Sequence, residues 1–208
     1  MNKEKVQSIL INQLKFSLDQ VKKLDIYHDE LINYNKNYNL ISNSTIDDIW
    51  NRHILDSAQL VKYIKFQNNK SLSDMGSGAG LPGLILAIFN NNPKFHVKLY
   101  EKSKIKCNFL NLVIKKLKID SKVYNGHYST HNIDSEYIVS RAFKKLEEII
   151  RISREIVRVN HTLVILKGKK AQLEVNSLQP PLNYVYILKN SMTNIESKIL
   201  IIDIKKNK

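Results

Sequence analysis

The sequence predicts an α/β fold: a mostly parallel sheet covered by helices on both faces, with an antiparallel edge, behind an N-terminal helical extension. Three observations predict it. From residue 72 onward short apolar segments alternate with helical patterns, as βαβ units do. Four of the six glycines fall between 76 and 83. Before residue 66 the apolar spacing is helical throughout.

The elements follow in order. Val6, Leu10, Leu14, Leu18 and Val21 fall at spacings of three and four and predict one stripe on a helix. Ser44 and Thr45, followed by Asp47 and Asp48, predict a capping box. Behind it Ile46, Ile49, Trp50, Ile54, Ala58, Val61 and Ile64 continue as a helix. The polar run 66–71 is a link, so residues 1–66 are expected to form the extension and 67–208 the α/β domain. Strands are predicted at Leu72–Met75, Val97–Glu101, Val123–Asn125, Tyr137–Ser140 and Thr162–Leu166. Helices are predicted at Leu84–Phe89, at Lys104–Lys118 with Ile105, Phe109, Leu112, Val113 and Leu117 inward, and at Leu146–Val159. Val185–Leu188 and Lys198–Ile204, with no helix between, predict an antiparallel pair.

The 208 residues are enough to bury a core. One cysteine excludes an intramolecular disulfide and suits a cytoplasmic setting. No apolar run approaches the length of a spanning helix, and the first residues lack a secretory pattern. No unpaired apolar stripe demands a partner, so a monomer is expected. The formal net charge of +14 is uneven, +2 over residues 1–70 and +12 beyond. It points to nucleic acid first and anionic membrane second, or to plain solvated lysine faces.

Asp74-Met75-Gly76-Ser77-Gly78-Ala79-Gly80-Leu81-Pro82-Gly83 sits between a predicted strand and helix. Glycines there let the backbone turn sharply and let a ligand touch the main chain. Gly78-x-Gly80-x-x-Gly83 satisfies the dinucleotide fingerprint. Asp74-x-Gly76-x-Gly78-x-Gly80 satisfies the nucleoside loop of S-adenosylmethionine (SAM) enzymes. Registration favours SAM, because the glycine directly after the strand is Gly76. An acidic Asp74 suits a cationic ligand. Glu101 ends the next strand, 25 residues after Gly76, where a carboxylate can accept from both ribose hydroxyls. An NAD(P)-dependent enzyme is the less favoured reading of the same loop.

With these residues in view, the chain resembles the bacterial 16S ribosomal RNA guanine-N7 methyltransferases, the RsmG (GidB) family. The matching stretches are Tyr38-Asn39-Leu40-Ile41, Arg52-His53-Ile54-Leu55-Asp56-Ser57, the glycine loop, Ser140-Arg141-Ala142-Phe143 and Leu166-Lys167-Gly168. The resemblance implies a class I SAM-dependent methyltransferase fold, Rossmann-like, with an N-terminal helical extension. It implies that SAM is met by Gly76 and Leu81, by residues after the third strand and by Arg141, and that the partner is 16S rRNA or the small ribosomal subunit. The family usually carries Gly-Arg-Ala-Glu after the third strand; here Gly126-His127-Tyr128-Ser129 stands there. Tyr128 and Ser129 therefore fall at the adenine edge without the acidic side chain.

Guanine N7 has a free lone pair and no proton to remove, so no general base is required. The proline-containing block of exocyclic-amine enzymes is absent from Ser140-Arg141-Ala142-Phe143. Cys107, the one thiol a pyrimidine-C5 enzyme could use, lies in a predicted helix and reads as a core residue. No catalytic residue is assigned. Arg52, His53, Arg141 and Lys167 are the acceptor-side candidates. Arg141 reads as a contact to SAM or RNA, against a strand-end pair with a carboxylate such as Glu147. Arg52 and Asp56, at i and i+4, read as a surface ion pair unless Arg52 and His53 face the cleft. Lys167 holds a phosphate or is simply solvated. Phe143 stacks on a base or is buried. His127 and His131 lack companions for a metal site. Residues 94–118 carry eight lysines against one glutamate, an RNA-facing or a solvated face, while Lys144, Lys145, Arg151, Arg154 and Arg158 lie nearer the acceptor edge by topology. Methylation of another acceptor and a SAM- or RNA-binding module without turnover are the alternatives.

Overall fold

The computed structural model describes residues 1–141, 143–178 and 185–206; Ala142 of the Ser140–Phe143 motif lies outside them. Seven strands form one sheet: β1 (Lys70–Met75), β2 (Phe95–Glu101), β3 (Ser121–Asn125), β4 (Tyr137–Arg141), β5 (His161–Lys167), β6 (Tyr186–Asn190) and β7 (Lys198–Ile204). Their order is β3-β2-β1-β4-β5-β7-β6. The first five run parallel, with Asp74 opposite both Leu99 and Val139. β7 lies antiparallel between β5 and β6. All five predicted parallel strands and the late pair are present.

Side chains alternate across the sheet as the strand period requires. In β5, Leu163 and Ile165 enter one apolar cluster while Val164 and Leu166 enter the other. Both faces are therefore buried, which parallel strands need. One face carries α4 (Gly83–Phe89) and α5 (Lys104–Leu117), the other α6 (Leu146–Ile156). A short α7 (Ala171–Asn176) was not expected from the sequence. The first cluster runs unbroken from Val6 and Leu24 through Leu84 and Phe109 to Ile199.

Three expectations are corrected. The stripe Val6–Val21 is not one helix but two, α1 (Lys3–Asn12) and α2 (Leu18–Asn35). Ser17 and Gln20 form a reciprocal capping box that starts α2, and Leu18 is 69% exposed; a cap at Ser17 outweighs the stripe. The box expected at Ser44 and Thr45 does not form: Asn43–Asp48 is a 3-10 segment without a side-chain cap. Thr45 donates to the Ser42 carbonyl instead. The chain continues as a π-helical segment (Trp50–Leu55), one α turn, α3 (Asp56–Ala58), and a 3-10 turn (Gln59–Tyr63). On α5 the inward residues are Cys107, Phe109, Leu110, Val113 and Leu117, while Ile105 and Leu112 face outward.

The strand order reverses between β1 and β4. Open α/β sheets bind ligands at such a point, outside the carboxyl ends of the strands. Gly76, Glu101, Arg141 and Lys167 all sit at that edge.

Candidate active site

The glycine loop leaves β1 with Gly76, Gly78 and Gly80 all at positive φ (74°, 58° and 90°). Gly76 and Ser77 donate their amides to the Tyr100 carbonyl, each at 3.0 Å, tying the turn to β2. A Cβ on Gly76 would lie 2.7 Å from Cδ2 of Phe143, so the strained φ and the ring together demand glycine. A Cβ on Gly83 would strike Asp74 at 2.6 Å; the missing side chain lets α4 approach the strand.

Asp74 is fully buried, and its Oδ2 accepts the Gly83 amide at 2.9 Å. Burial pushes its carboxyl up to about 7, with the Gly83 amide and the Ser77 hydroxyl pulling the other way. Glu101 serves the loop more openly. Its Oε2 accepts the Gly78 amide at 2.9 Å and its Oε1 the Ser103 amide at 2.8 Å.

A cavity of about 380 Å³ opens beside the loop, lined by Gly76, Tyr100, Glu101, Gly126, His127, Tyr128, Phe143 and three lysines, 102, 106 and 144. Of the donor-side residues named from sequence, Gly76, Glu101 and Tyr128 line it. Asp74, Gly78, Gly80 and Leu81 build the loop without lining the cavity. The Ser129 hydroxyl pairs with His127 Nδ1 at 2.7 Å. The cavity has what a nucleoside sulfonium needs: a carboxylate for hydroxyl groups, aromatic walls, and a cradle at Gly76 that a Cβ would fill.

A second cleft of about 490 Å³ adjoins the first and shares Phe143 and Lys144 with it. Arg141, Lys167, Asp56 and Ser197 are among its other walls. Phe143 meets the Tyr128 ring edge-on at 5.3 Å. The ammonium of Lys144 lies 5.9 Å from the Phe143 ring centroid and pairs with Glu148, which holds its pKa up.

Arg141 is not paired with Glu147. Its Nε meets Asp56 Oδ2 at 3.2 Å, its Nη2 donates to the Arg52 carbonyl at 2.7 Å, and its Nη1 donates to His53 Nδ1 at 2.7 Å. Asp56 therefore serves Arg141 rather than the Arg52 side chain four residues away, and its Oδ1 also accepts from Gln59 and Thr193, each at 2.9 Å. Burial, then the charges of Arg141 and Arg52, hold the His53 imidazole down at about 4. His53 is buried and lines neither cavity, whereas Arg52, with Arg141 and Thr193, lines a further hollow of about 350 Å³. The Lys167 ammonium is likewise committed, to Glu174 at 2.8 Å and the Lys144 carbonyl at 2.7 Å. Neither reading offered for Lys167, a free phosphate contact or a solvated end, describes that arrangement. Cys107 is a buried residue whose thiol donates to the Glu101 carbonyl.

Sequence reasoning missed Tyr27, Thr45 and Glu174. Tyr27 carried a signal: it continues the buried α2 stripe Val21, Leu24, Leu31, and a buried tyrosine needs a partner for its hydroxyl. That partner is the Ala79 carbonyl, in the glycine loop, at 2.9 Å.

A family model described as rRNA small subunit methyltransferase G (GidB) matches residues 20–201. The chain is 35% identical over 189 residues to the ribosomal RNA small subunit methyltransferase G of Rickettsia akari (strain Hartford), covering 90% of this chain and 95% of that protein. The protein of the same description from Rickettsia rickettsii (strain Sheila Smith) is 36% identical over 182 residues, 86% of this chain and 92% of that one. Among solved structures, a SAM-dependent methyltransferase from Aquifex aeolicus superposes with a TM-score of 0.57 at 14% identity, covering 90% and 98% of the two chains. A mutant of MtNAS in complex with S-adenosylmethionine gives 0.59 at 12% identity, covering 100% and 85%. These two likenesses carry the fold.

Proposed function

The chain belongs to the rRNA small subunit methyltransferase G family, and from that premise we propose that it transfers the methyl group of SAM to N7 of a guanine in 16S rRNA. The observation that carries this reading is the pair of cavities meeting at Phe143 and Lys144. One has nucleoside chemistry on its walls. The other is edged by basic side chains and opens beside it. A donor and an acceptor placed there would be neighbours, and methyl transfer depends chiefly on such placement.

In this reading Glu101 holds the donor's ribose, Gly76 lets it approach the main chain, and Tyr128 and Phe143 flank its base. When bound, SAM supplies a methyl group already activated on a sulfonium. The chain's part is to position and to exclude water. The side chains at the acceptor cleft agree with an acceptor that has no proton to lose. His53, Asp56 and Lys167 are each engaged in the fold, so none is free to serve as a base. Residues 1–66 act as an extension that supports a catalytic unit formed by 67–208. A monomer working in the cytoplasm, where small subunits are assembled, completes the reading. No helix among the described residues is long and apolar enough to cross a membrane.

The test supplies methyl-labelled SAM and small ribosomal subunits, or their naked rRNA, from cells lacking this modification. Nucleoside mass spectrometry should then find 7-methylguanosine at one site. Label in another base, or in protein, would move the acceptor; SAM binding without transfer to any substrate would leave a binding module.

A further inference from the structure

We propose that Tyr27, on the N-terminal extension, is a positioning residue for the donor: its hydroxyl sets the glycine loop in the shape that receives SAM. This rests on the donor-site reading above.

Tyr27 is wholly buried, and its hydroxyl donates to the Ala79 carbonyl at 2.9 Å, 52 residues away in the chain. Ala79 lies between Gly78 and Gly80, both held at positive φ. The Gly78 amide on one side of it donates to Glu101. The loop is thus gripped twice, by Tyr27 through a carbonyl and by Glu101 through an amide one residue earlier. The Glu101 carboxylate both shapes the loop and lines the donor cavity. A change in the orientation of the Ala79 peptide therefore reaches the wall against which a donor would lie.

The far end of the same unit is gripped as well. Gln20 donates to the Phe89 carbonyl, at the end of α4, at 2.6 Å. Gln20 and Tyr27 are seven residues apart, two turns on one face of α2, about 10 Å at 1.5 Å per residue. α2 therefore holds the loop at Ala79 and the end of α4 at Phe89 from one face. The ring of Tyr27 fills space beside Phe109, centroids 6.3 Å apart, and phenylalanine would fill it too. Only the hydroxyl would be lost, leaving the Ala79 carbonyl buried without that partner, and a loop in such a state relaxes toward one.

The test compares the full-length wild type with Tyr27→Phe and with Leu24→Ala, which removes core packing from the same helix without touching the hydroxyl. SAM affinity is read by calorimetry, and turnover with small-subunit rRNA over a series of SAM concentrations up to saturation. Tyr27→Phe should weaken SAM binding about three- to tenfold, raise KM for SAM in step, and leave kcat and the KM for RNA within twofold. Leu24→Ala should lower the melting temperature more and SAM affinity less. Unchanged SAM affinity in Tyr27→Phe, or equal loss of affinity in both variants, would reduce Tyr27 to a core residue and overturn the proposal. Should Tyr27→Phe not fold, hydrogen exchange on the wild type decides: SAM must slow exchange in α2 around Tyr27 as well as in the loop, since coupling is reciprocal. A loop protected alone would overturn it. Wild type that binds no SAM would sink the donor-site reading itself, a distinct result.

Discussion

Arg141 Nη1 stands 2.7 Å from His53 Nδ1, across 88 residues of chain. A guanidinium only donates, so Nδ1 accepts and the imidazole proton sits on Nε2. Nε2 then donates to the Thr45 hydroxyl at 2.8 Å, and that hydroxyl donates to the Ser42 carbonyl at 2.7 Å. Every donor in the chain has its acceptor, and the direction runs one way. The extension thereby fixes the side chain that ends β4 at the mouth of the acceptor cleft.

Replacing His53 with alanine should lower turnover about tenfold, because a misplaced Arg141 no longer frames the cleft. It should also cost about 1–3 kcal/mol of stability, because Arg141 Nη1 loses its acceptor while Asp56 and the Arg52 carbonyl keep the rest of the guanidinium. The pH dependence is a sharper check. Folding depresses the His53 pKa to about 4, so the native state holds fewer protons than the unfolded chain between about 4 and the usual 6.5. That stability is whole above about 6.5 and lost as pH falls toward 4. Urea denaturation at pH 7.5 and 4.5 should show the wild type losing on the order of 2 kcal/mol more than His53→Gln; equal losses would refute the neutral imidazole.

Asp74 behaves in the opposite sense. Its carboxyl is raised to about 7, so the native state holds more protons than the unfolded chain between about 4 and 7. Stability from this group falls as pH rises through that window. Asp74→Asn keeps an acceptor for the Gly83 amide and removes the titration. Between pH 4.5 and 8 the wild type should lose on the order of 2 kcal/mol relative to the variant, and a parallel pair of stability curves would count against it.

Glu101→Gln should weaken SAM binding at least about tenfold, near 1.4 kcal/mol. Glutamine offers one carbonyl where the carboxylate gives two oxygens, to Gly78 and Ser103. One of those amides would then face an NH₂ group, and the loop would shift. Calorimetry with SAM reads the change; an unaltered Kd would remove Glu101 from the donor site.

RNA affinity should fall steeply with salt, as lysines displace counterions from phosphates. Exposed Lys145, at the acceptor cleft, should lower the salt slope by about one when changed to alanine. Lys167→Met should leave the slope alone and lower stability, since its ammonium is spent on Glu174. Filter binding over a salt series separates the two.

The parallel strands and the glycine loop were legible because both announce themselves locally. Leu163–Leu166 is a continuous apolar run, as a strand buried on two faces must be, and four glycines in eight positions leave few other uses. The break at Gln13–Ser17 was hidden because Leu14 continues the stripe while a cap three residues on ends it. Ile105 and Leu112 looked inward because periodicity locates a stripe more reliably than its edges. The partner of Asp56 could not be read at all. Spacing offered Arg52, four residues off, and the fold supplied Arg141 from another element. The grip of Tyr27 on Ala79 and of Glu174 on Lys167 joins separate elements, which only the assembled fold defines.

The place of β7 inside the sheet bears on how the chain is made. β6 precedes it in the sequence yet, among the described strands, pairs with β7 alone. On a growing chain β6 has nothing to join, and the far edge of β5 stays open, an apolar strand with free amides and carbonyls. Residues 198–204 close both at once. A premature stop before Lys198 would therefore yield not a shorter enzyme but a chain with an uncovered sheet edge, sticky toward its own copies and a natural client for chaperones until degraded.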